Sequence, residues 1–136
     1  MVSGRFALYS KIVRFIERLQ KNGIIVLSPK PSKISESIKD FLLLESDMGK
    51  TKGISKGKIP SFLERKHCEH IKEADYLIIY NPDGKDGTSM LSEIGVAFGA
   101  GKPIYSIRPI QELPFRDFTT VISQKELIKL LTQKSS

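Results

Sequence analysis

One glutamate stands among small and apolar residues in the most unusual segment of this chain, NPDGKDGTSMLSEIGVAFGAGKP, residues 81–103. Glu93 lies four or five residues beyond Thr88 and Ser89, either of which can cap a helix. A carboxylate there can project toward the preceding Gly/Asp turn and act as a nucleophile or general base. It can equally be an ordinary helix glutamate that faces solvent or pairs with a lysine. Spacing alone leaves both interpretations open.

The turn before Glu93 is suited to a ligand. Gly84 and Gly87 allow positive backbone torsions and close approach to the main chain. The free N–H groups at the start of the following helix favour an anion or an oxygen-rich ligand. Three carboxylates are candidate acid partners of Glu93: Asp75, Asp83 and Asp86. Asp86 can also be a turn-forming residue that hydrogen-bonds its own backbone.

Helical patterns alternate with short apolar runs along the chain. The patterns predict helices over residues 6–22, 35–46, 61–74, 88–100 and 124–131. The apolar runs predict strands over 24–27, 76–80, 103–107 and 119–123. This alternation predicts an α/β fold, a doubly wound parallel sheet with helices on both faces. Ligands of such sheets lie outside the carboxyl ends of the strands, where the turn of residues 81–88 is placed.

Length and composition indicate one domain over residues 1–136, with a net charge of +7 that favours anionic partners. The segment 48–59 holds four lysines and several glycines and is predicted to be a mobile, solvated loop. A single cysteine, Cys68, excludes an internal disulfide framework. No apolar run is long enough to cross a bilayer and the first residues lack a signal-peptide core, so a cytoplasmic location without membrane contact is expected.

Two parts of the sequence carry a resemblance to a known family. EADYLIIYNPDGKDGTSMLSEIGVAFGAGKPIYSI, residues 73–107, has an acidic residue, an apolar strand, an Asn-x-Asp-Gly turn, Glu-Ile-Gly-x-Ala and Gly-Lys-Pro. SGRF at 3–6 and LQKNGIIVLSP at 19–29 are similar to an opening loop, first helix and second strand. Together they resemble the nucleoside 2-deoxyribosyltransferase-like proteins, which include nucleoside monophosphate N-glycosidases.

The resemblance implies a flavodoxin-like, Rossmann-like fold and chemistry at an N-glycosidic bond. Glu93 would attack the anomeric carbon of a nucleoside or nucleoside 5′-monophosphate, and a second base or water would take the sugar from the covalent intermediate. Asp75 and Asp86 would handle the proton of the leaving base. The implied substrate contacts are Ser3, Gly4, Arg5, Asp83, Gly84, Gly87 and Ser89. Arg5 favours a phosphate-bearing substrate, since arginine binds phosphate in a bidentate manner.

The same resemblance implies a homodimer or larger assembly and no cofactor. The chain departs from the family in having only Met1 and Val2 where an apolar strand precedes the opening loop, so the first strand is expected to be truncated. The opening loop also reads SGRF rather than Gly-Ser, and the turn carries Lys85, Asp86 and Gly87.

Two rival functions remain. DGKDGTSMLSE, residues 83–93, is also similar to a turn of the phosphoribohydrolases that resemble lysine decarboxylases, some of which only bind, so a non-catalytic nucleotide sensor or partner module is the alternative. A nucleic-acid-binding domain is disfavoured because no aromatic residues alternate with the lysines.

HCEH, residues 67–70, places His67 and His70 on one helix face, but no second ligand pair is present, and no metal is expected.

Overall fold

The computed structural model describes residues 1–38 and 41–134. Within these ranges the chain forms six strands and four α-helices. In chain order they are β1 (Val2–Ser3), α1 (Tyr9–Lys21), β2 (Ile34–Ile38), β3 (Phe41–Leu44), α2 (Ile59–Glu73), β4 (Leu77–Ile79), α3 (Thr88–Gly99), β5 (Ile104–Ser106), β6 (Thr120–Val121) and α4 (Gln124–Lys134). Short 3₁₀ turns cover Phe6–Leu8, Glu45–Asp47, Lys56–Lys58 and Phe115–Phe118.

Four of the strands form one sheet in the order β1-β4-β5-β6, with every neighbouring pair parallel. Ser3 and Ile79 are partners at the carboxyl ends of β1 and β4. Ile79 is in turn opposite Ser106 of β5. The predicted α/β class and the strands predicted at 76–80, 103–107 and 119–123 are therefore confirmed, each strand being shorter than its apolar run.

Alternate residues of β4 face opposite sides of this sheet. Leu77 and Ile79 belong to a buried cluster that includes side chains of α2 and α3. Ile78 and Tyr80 belong to a second cluster that includes side chains of α1 and α4. Both faces of the central strand are thus covered, which explains why its sequence is apolar at every position.

The strand predicted at 24–27 is wrong. These residues adopt no regular structure, and Ile25 is 86% exposed. The segment nevertheless runs beside β1, because the Val2 N–H donates to the Ser28 carbonyl at 3.0 Å. β1 itself is short, with only two residues, as the sequence predicted.

The helix predicted over residues 35–46 is also wrong, because most of this segment is the antiparallel pair β2 and β3. The alternation of Ile34, Glu36 and Ile38 with serines is a period-two pattern, typical of a strand. Ile38 and Phe41 pack against a small buried cluster that includes Leu43 of β3 and two residues of α2. Residues 39 and 40, which the predicted helix also covered, lie outside the described ranges.

The other predicted helices are confirmed within a few residues, as α1, α2, α3 and α4. The lysine-rich segment that follows β3 contains Thr51, which is buried and donates its hydroxyl to the Asp47 carbonyl at 3.1 Å. Its lysines are exposed. Among the described residues, no helix combines the length and the apolar character needed to cross a bilayer.

Candidate functional site

The candidate site lies at the carboxyl edge of the sheet, where β1 and β4 end side by side. The chain leaves β4 through Asn81, whose side chain is almost fully buried. Its Nδ2 donates to the Arg108 carbonyl at 3.0 Å, and its Oδ1 accepts from the Ile107 and Arg108 N–H groups at 3.1 and 3.0 Å. Asn81 therefore joins the loops after β4 and β5 and fixes the start of the turn that leads to α3.

Glu93 lies in the second turn of α3 and is buried, with 5% of its surface exposed. Ile94 and Ala97 of the same helix are fully buried against the sheet. This packing holds α3 so close to the sheet that the Glu93 side chain cannot be a solvated helix glutamate. Burial therefore excludes the solvent-facing glutamate that the sequence also allowed.

Glu93 faces two side chains of α2. Glu64, His67 and Glu93 each offer one oxygen or nitrogen atom, and these three atoms all lie within 4.8 Å of one another. Within α2, Nδ1 of His67 lies 3.6 Å from Oε2 of Glu64. We call these three residues the α2–α3 cluster.

Burial raises the pKa of Glu93 well above its usual range. The neighbouring Glu64 carboxyl raises that pKa further, by charge repulsion and by a hydrogen bond, whereas the Ser3 hydroxyl favours the ionised form and lowers it. Two carboxyl groups this close cannot both ionise readily in a partly dry site. The pair therefore retains a proton at a pH where exposed carboxyl groups have lost theirs.

Several polar atoms around Glu93 are buried without a hydrogen bond of regular geometry to any described residue. They include Oγ of Ser3 and both carboxylate oxygens of Glu64. Ser3 itself is only 4% exposed. Buried polar atoms without partners are rare in folded proteins and often mark a place where a ligand binds.

A cavity of about 80 Å³ that opens to solvent adjoins these groups. Ser3 and Gly4 line it from the end of β1, Ser89 and Glu93 line it from α3, and β3 closes one side. Basic and aromatic side chains complete the lining, among them Phe6, Tyr9, Lys30, Lys50 and Lys66. Asp47, Glu64 and Glu93 line the cavity as well, so it can hold a polar small molecule with part of it against apolar surface.

A second, more open crevice adjoins this cavity at the start of α3. Gly4 and Arg5 line one side of it, and Gly87, Thr88 and Ser89 line the other. The first residues of a helix present free N–H groups and a positive dipole end, which favour anions. Gly4 and Ser89 line both spaces, so one extended ligand could occupy them together.

Arg5 is paired with Asp83, a residue of the turn after β4. Burial acts to raise the pKa of Asp83, but the Lys85 N–H and the Arg5 guanidinium outweigh it and lower the pKa. Gly84 has a φ of 72° in the same turn, a conformation that glycine adopts without strain. Asp83 and Gly84 therefore shape the turn, while Arg5 borders the crevice.

The structure does not bring the other two predicted acids to Glu93. The Asp86 carboxylate accepts hydrogen bonds from the Gln111 and Glu112 N–H groups, at 3.1 and 2.9 Å, and so holds the loop after β5. Asp75 is exposed and precedes β4. At about 3.3 Å per residue, it lies roughly 13 Å along the strand from Ile79.

Sequence reasoning found Glu93, Ser3, Gly4 and Ser89 but missed Glu64. A signal was present, since Leu63 and Ile71 are both buried and their spacing marks the face of α2 that meets the sheet. Glu64 lies next to this face. His67 was noticed only together with His70, which is not part of the α2–α3 cluster.

Comparison of the sequence with models of known protein families gave no match, and comparisons with curated proteins and with solved structures gave none either.

Proposed function

We propose that this chain is an enzyme of a flavodoxin-like, doubly wound fold that cleaves or transfers at the N-glycosidic bond of a nucleoside or nucleoside 5′-monophosphate. The observation that carries the proposal is the pair of carboxyl groups, Glu93 and Glu64, within 4.8 Å of each other beside a cavity. Retaining glycosidases hold their two carboxyl groups about 5–5.5 Å apart, whereas inverting enzymes need about 6.5–9.5 Å. One oxygen of each group lies within 4.8 Å of the other, which leaves less room than an inverting enzyme needs for its water and favours the retaining, two-step reaction.

In the first step, the Glu93 carboxylate attacks the anomeric carbon as the bond to the base breaks. The transition state has oxocarbenium character, which a nearby anion stabilises in a site that excludes water. The Ser3 hydroxyl assists because it favours the ionised form of Glu93. The product of this step is an ester between the sugar and Glu93.

The leaving base needs a proton, and Glu64 supplies it in this proposal. Glu64 replaces Asp75 and Asp86 in the role that the sequence suggested for them, because among the described residues Glu64 supplies the carboxyl group beside Glu93. The raised pKa of Glu93 places the proton of the pair on Glu93 at rest, so this proton must pass to Glu64 before Glu93 attacks and Glu64 donates. In the second step, Glu64 accepts a proton from water or from an incoming base as that acceptor attacks the sugar ester.

The remaining contacts follow from the two adjoining spaces. A sugar above Glu93 places a 5′-phosphate toward the crevice at the start of α3, near Ser89 and the Gly87 N–H. Arg5 borders this crevice but is paired with Asp83. Binding of a phosphate therefore requires Arg5 to exchange its carboxylate partner for the phosphate, which arginine can contact in a bidentate manner.

We further propose that the enzyme is a cytoplasmic homodimer or larger assembly. β6 is the last strand of the sheet, and its residue Val121 is 51% exposed. Leu113, eight residues earlier in the chain, is 66% exposed. An exposed sheet edge with apolar side chains is commonly covered by another chain. Light scattering coupled to size-exclusion chromatography measures the mass directly, and a monomer at every concentration would contradict this part.

The decisive experiment uses protein treated with a chelator and a panel of nucleosides and their 5′-monophosphates. Released base and transferred sugar are separated by chromatography. We expect release by the wild-type chain and a loss of about 1,000-fold or more in Glu93→Gln, as removal of a covalent nucleophile produces. Glu17→Gln, an exposed carboxylate of α1, is the matched control and should retain full activity.

Two further measurements separate the outcomes. Azide added to Glu93→Ala can replace the missing carboxylate and should restore cleavage with inverted configuration of the sugar azide. Nucleotides that bind the wild-type chain without any release would instead favour the alternative, a non-catalytic nucleotide sensor on the same fold.

A further inference from the structure

We propose that the α2–α3 cluster, Glu64, His67 and Glu93, is a binding site for one divalent transition-metal ion, with Zn²⁺ as the best fit. This inference goes beyond the proposed function and does not depend on it. It starts from the mutual distances, since the three candidate ligand atoms all lie within 4.8 Å of one another.

The spacing within the cluster is close to what an ion requires. Two ligands about 2.1 Å from a tetrahedral Zn²⁺ are roughly 3.4 Å apart. Nδ1 of His67 and Oε2 of Glu64 are already 3.6 Å apart. The candidate ligand atom of Glu93 lies within 4.8 Å of the other two candidate atoms, so it must approach each by no more than about 1.4 Å to reach the spacing of a tetrahedral ion.

A second observation is independent of these distances. Ser3 is 4% exposed, its Oγ has no hydrogen bond of regular geometry to a described residue, and it lines the same cavity as Glu93. Both Glu64 oxygens are likewise buried and without such a partner. The site thus gathers two carboxyl groups and a buried hydroxyl beside the imidazole of His67. A cation would satisfy these atoms together.

The ligand types select the class of metal. One imidazole and two carboxylates suit Zn²⁺ and neighbouring transition metals, whereas Mg²⁺ and Ca²⁺ prefer oxygen ligands alone. Glu64 and His67 are three residues apart on α2, and Glu93 lies on α3 packed beside it, so both elements are rigid supports. The fourth position of the ion would face the cavity and remain open to water or a ligand.

Metal binding and the proposed reaction exclude each other, because Glu93 cannot hold an ion and attack a sugar carbon at once. Metal titrations are therefore performed without nucleotides, and base release is measured with a chelator present. Either proposal can then fail while the other stands.

The test is isothermal titration of chelator-treated protein with ZnCl₂, with MgCl₂ in a parallel titration. We expect one Zn²⁺ per chain, and no comparable heat from Mg²⁺. His67→Gln should weaken Zn²⁺ binding more than about tenfold, since loss of even an outer-shell partner has effects of that size. His70→Gln and Cys68→Ser, on the same helix but outside the cluster, should bind like the wild-type chain.

Co²⁺ substitution provides a readout that does not depend on affinity. Its visible absorption bands should show a tetrahedral site with nitrogen and oxygen ligands and no thiolate contribution, and they should disappear in Glu93→Gln whose circular dichroism is unchanged. The proposal is overturned by the lack of saturable binding, by equal binding in His67→Gln, or by an equal loss in His70→Gln or Cys68→Ser. The last result would place the ion on other side chains of HCEH instead.

Discussion

The carboxyl groups of Glu93 and Glu64 face each other between two packed helices, and burial of Glu93 beside Glu64 raises its pKa. The folded chain therefore keeps a proton on Glu93 at a pH where the unfolded chain has released it. As pH rises from the ordinary value of 4.5 toward the raised value, the folded state loses stability relative to the unfolded state. At a pH above the raised pKa, this loss in the free energy of unfolding no longer changes with pH.

Glu93→Gln should accordingly stabilise the chain at neutral pH. Glutamine has a similar shape and no charge, so it removes the penalty, which is about 1.4 kcal/mol for each unit by which the pKa is raised. We expect the gain in the free energy of unfolding to be large at pH 7.5 and to shrink toward pH 4.5. Urea unfolding of chelator-treated protein across this range measures it.

Glu17→Gln is the control for this series, since its carboxylate is exposed and its substitution should change the free energy of unfolding by the same small amount at every pH. A Glu93→Gln variant that is less stable than the wild type at pH 7.5, or a difference that does not vary with pH, would contradict the prediction. The same variant should lack base release, which is the usual exchange between stability and function at an active site.

Gly4→Ala and Gly87→Ala form a matched pair at the edge of the site. A Cβ at Gly4 would lie 2.8 Å from Cδ1 of Ile12 and 2.9 Å from the Tyr80 carbonyl oxygen, which belongs to the backbone and cannot move aside. A Cβ at Gly87 would lie 2.8 Å from Cγ of Arg5, a flexible side chain. We expect Gly4→Ala to reduce the free energy of unfolding by about 1–3 kcal/mol, and Gly87→Ala by less than about 1 kcal/mol.

Thermal and urea unfolding of the two glycine variants decide this prediction. Equal losses of stability would show that the chain after β1 can shift, and that Gly4 does not set the position of the opening loop. Gly87→Ala should still affect binding at the crevice, because Arg5 must move to accommodate the methyl group.

The Arg5–Asp83 pair predicts a change in substrate preference rather than in stability. Both side chains are partly exposed, so their ion pair contributes no more than about 1 kcal/mol to folding. If Arg5 binds a 5′-phosphate in the proposed reaction, Asp83→Asn should free it and raise the preference for monophosphates over nucleosides by roughly threefold to tenfold.

Arg5→Gln should lower the same preference. The measurement is the ratio of kcat/KM for a monophosphate to that for its nucleoside, which cancels general losses of activity. If both variants leave the ratio unchanged, Arg5 does not contact the phosphate, whatever their effect on the rate with either substrate.

Secondary structure was predictable from the sequence wherever apolar residues followed one clear pattern, either helical spacing or a continuous run. The helix α1 and the strand β4 have strong patterns, and both were found at nearly the predicted positions. The antiparallel pair of β2 and β3 was not predicted. The pattern of Ile34, Glu36 and Ile38 spans only five residues, and the serines between them also suit a helix start. Its packing against α2, which no local pattern records, decided the outcome.

The sequence predicted individual residues of the site, but not which residues of different helices come together in it. Glu93 stood out because a carboxylate interrupts a small, apolar helix, and Ser3 and Ser89 followed from the same resemblance. Glu64 comes from a different helix, and its approach to Glu93 depends on how α2 and α3 pack. The acidic residues near Glu93 in sequence, such as Asp86, were used elsewhere to hold loops together.

The last prediction concerns Asn81, a residue whose role the sequence did not reveal. Its buried amide donates one hydrogen bond to the loop after β5 and accepts two from it. Asn81→Ala would remove all three, although the Ile107 N–H would keep its bond of 3.3 Å to the Ile79 carbonyl. At about 1 kcal/mol for each bond, we expect a loss of roughly 3 kcal/mol in the free energy of unfolding.

Asn81→Asp keeps the acceptor but has a donor for the Arg108 carbonyl only when protonated. The stability lost by Asn81→Asp should therefore be partly recovered as pH falls through the pKa of the new carboxyl group, whereas the loss in Asn81→Ala should not depend on pH. Urea unfolding of both variants at several pH values measures this, and a loss below about 1 kcal/mol in Asn81→Ala would show that the loop after β5 holds its position without the amide.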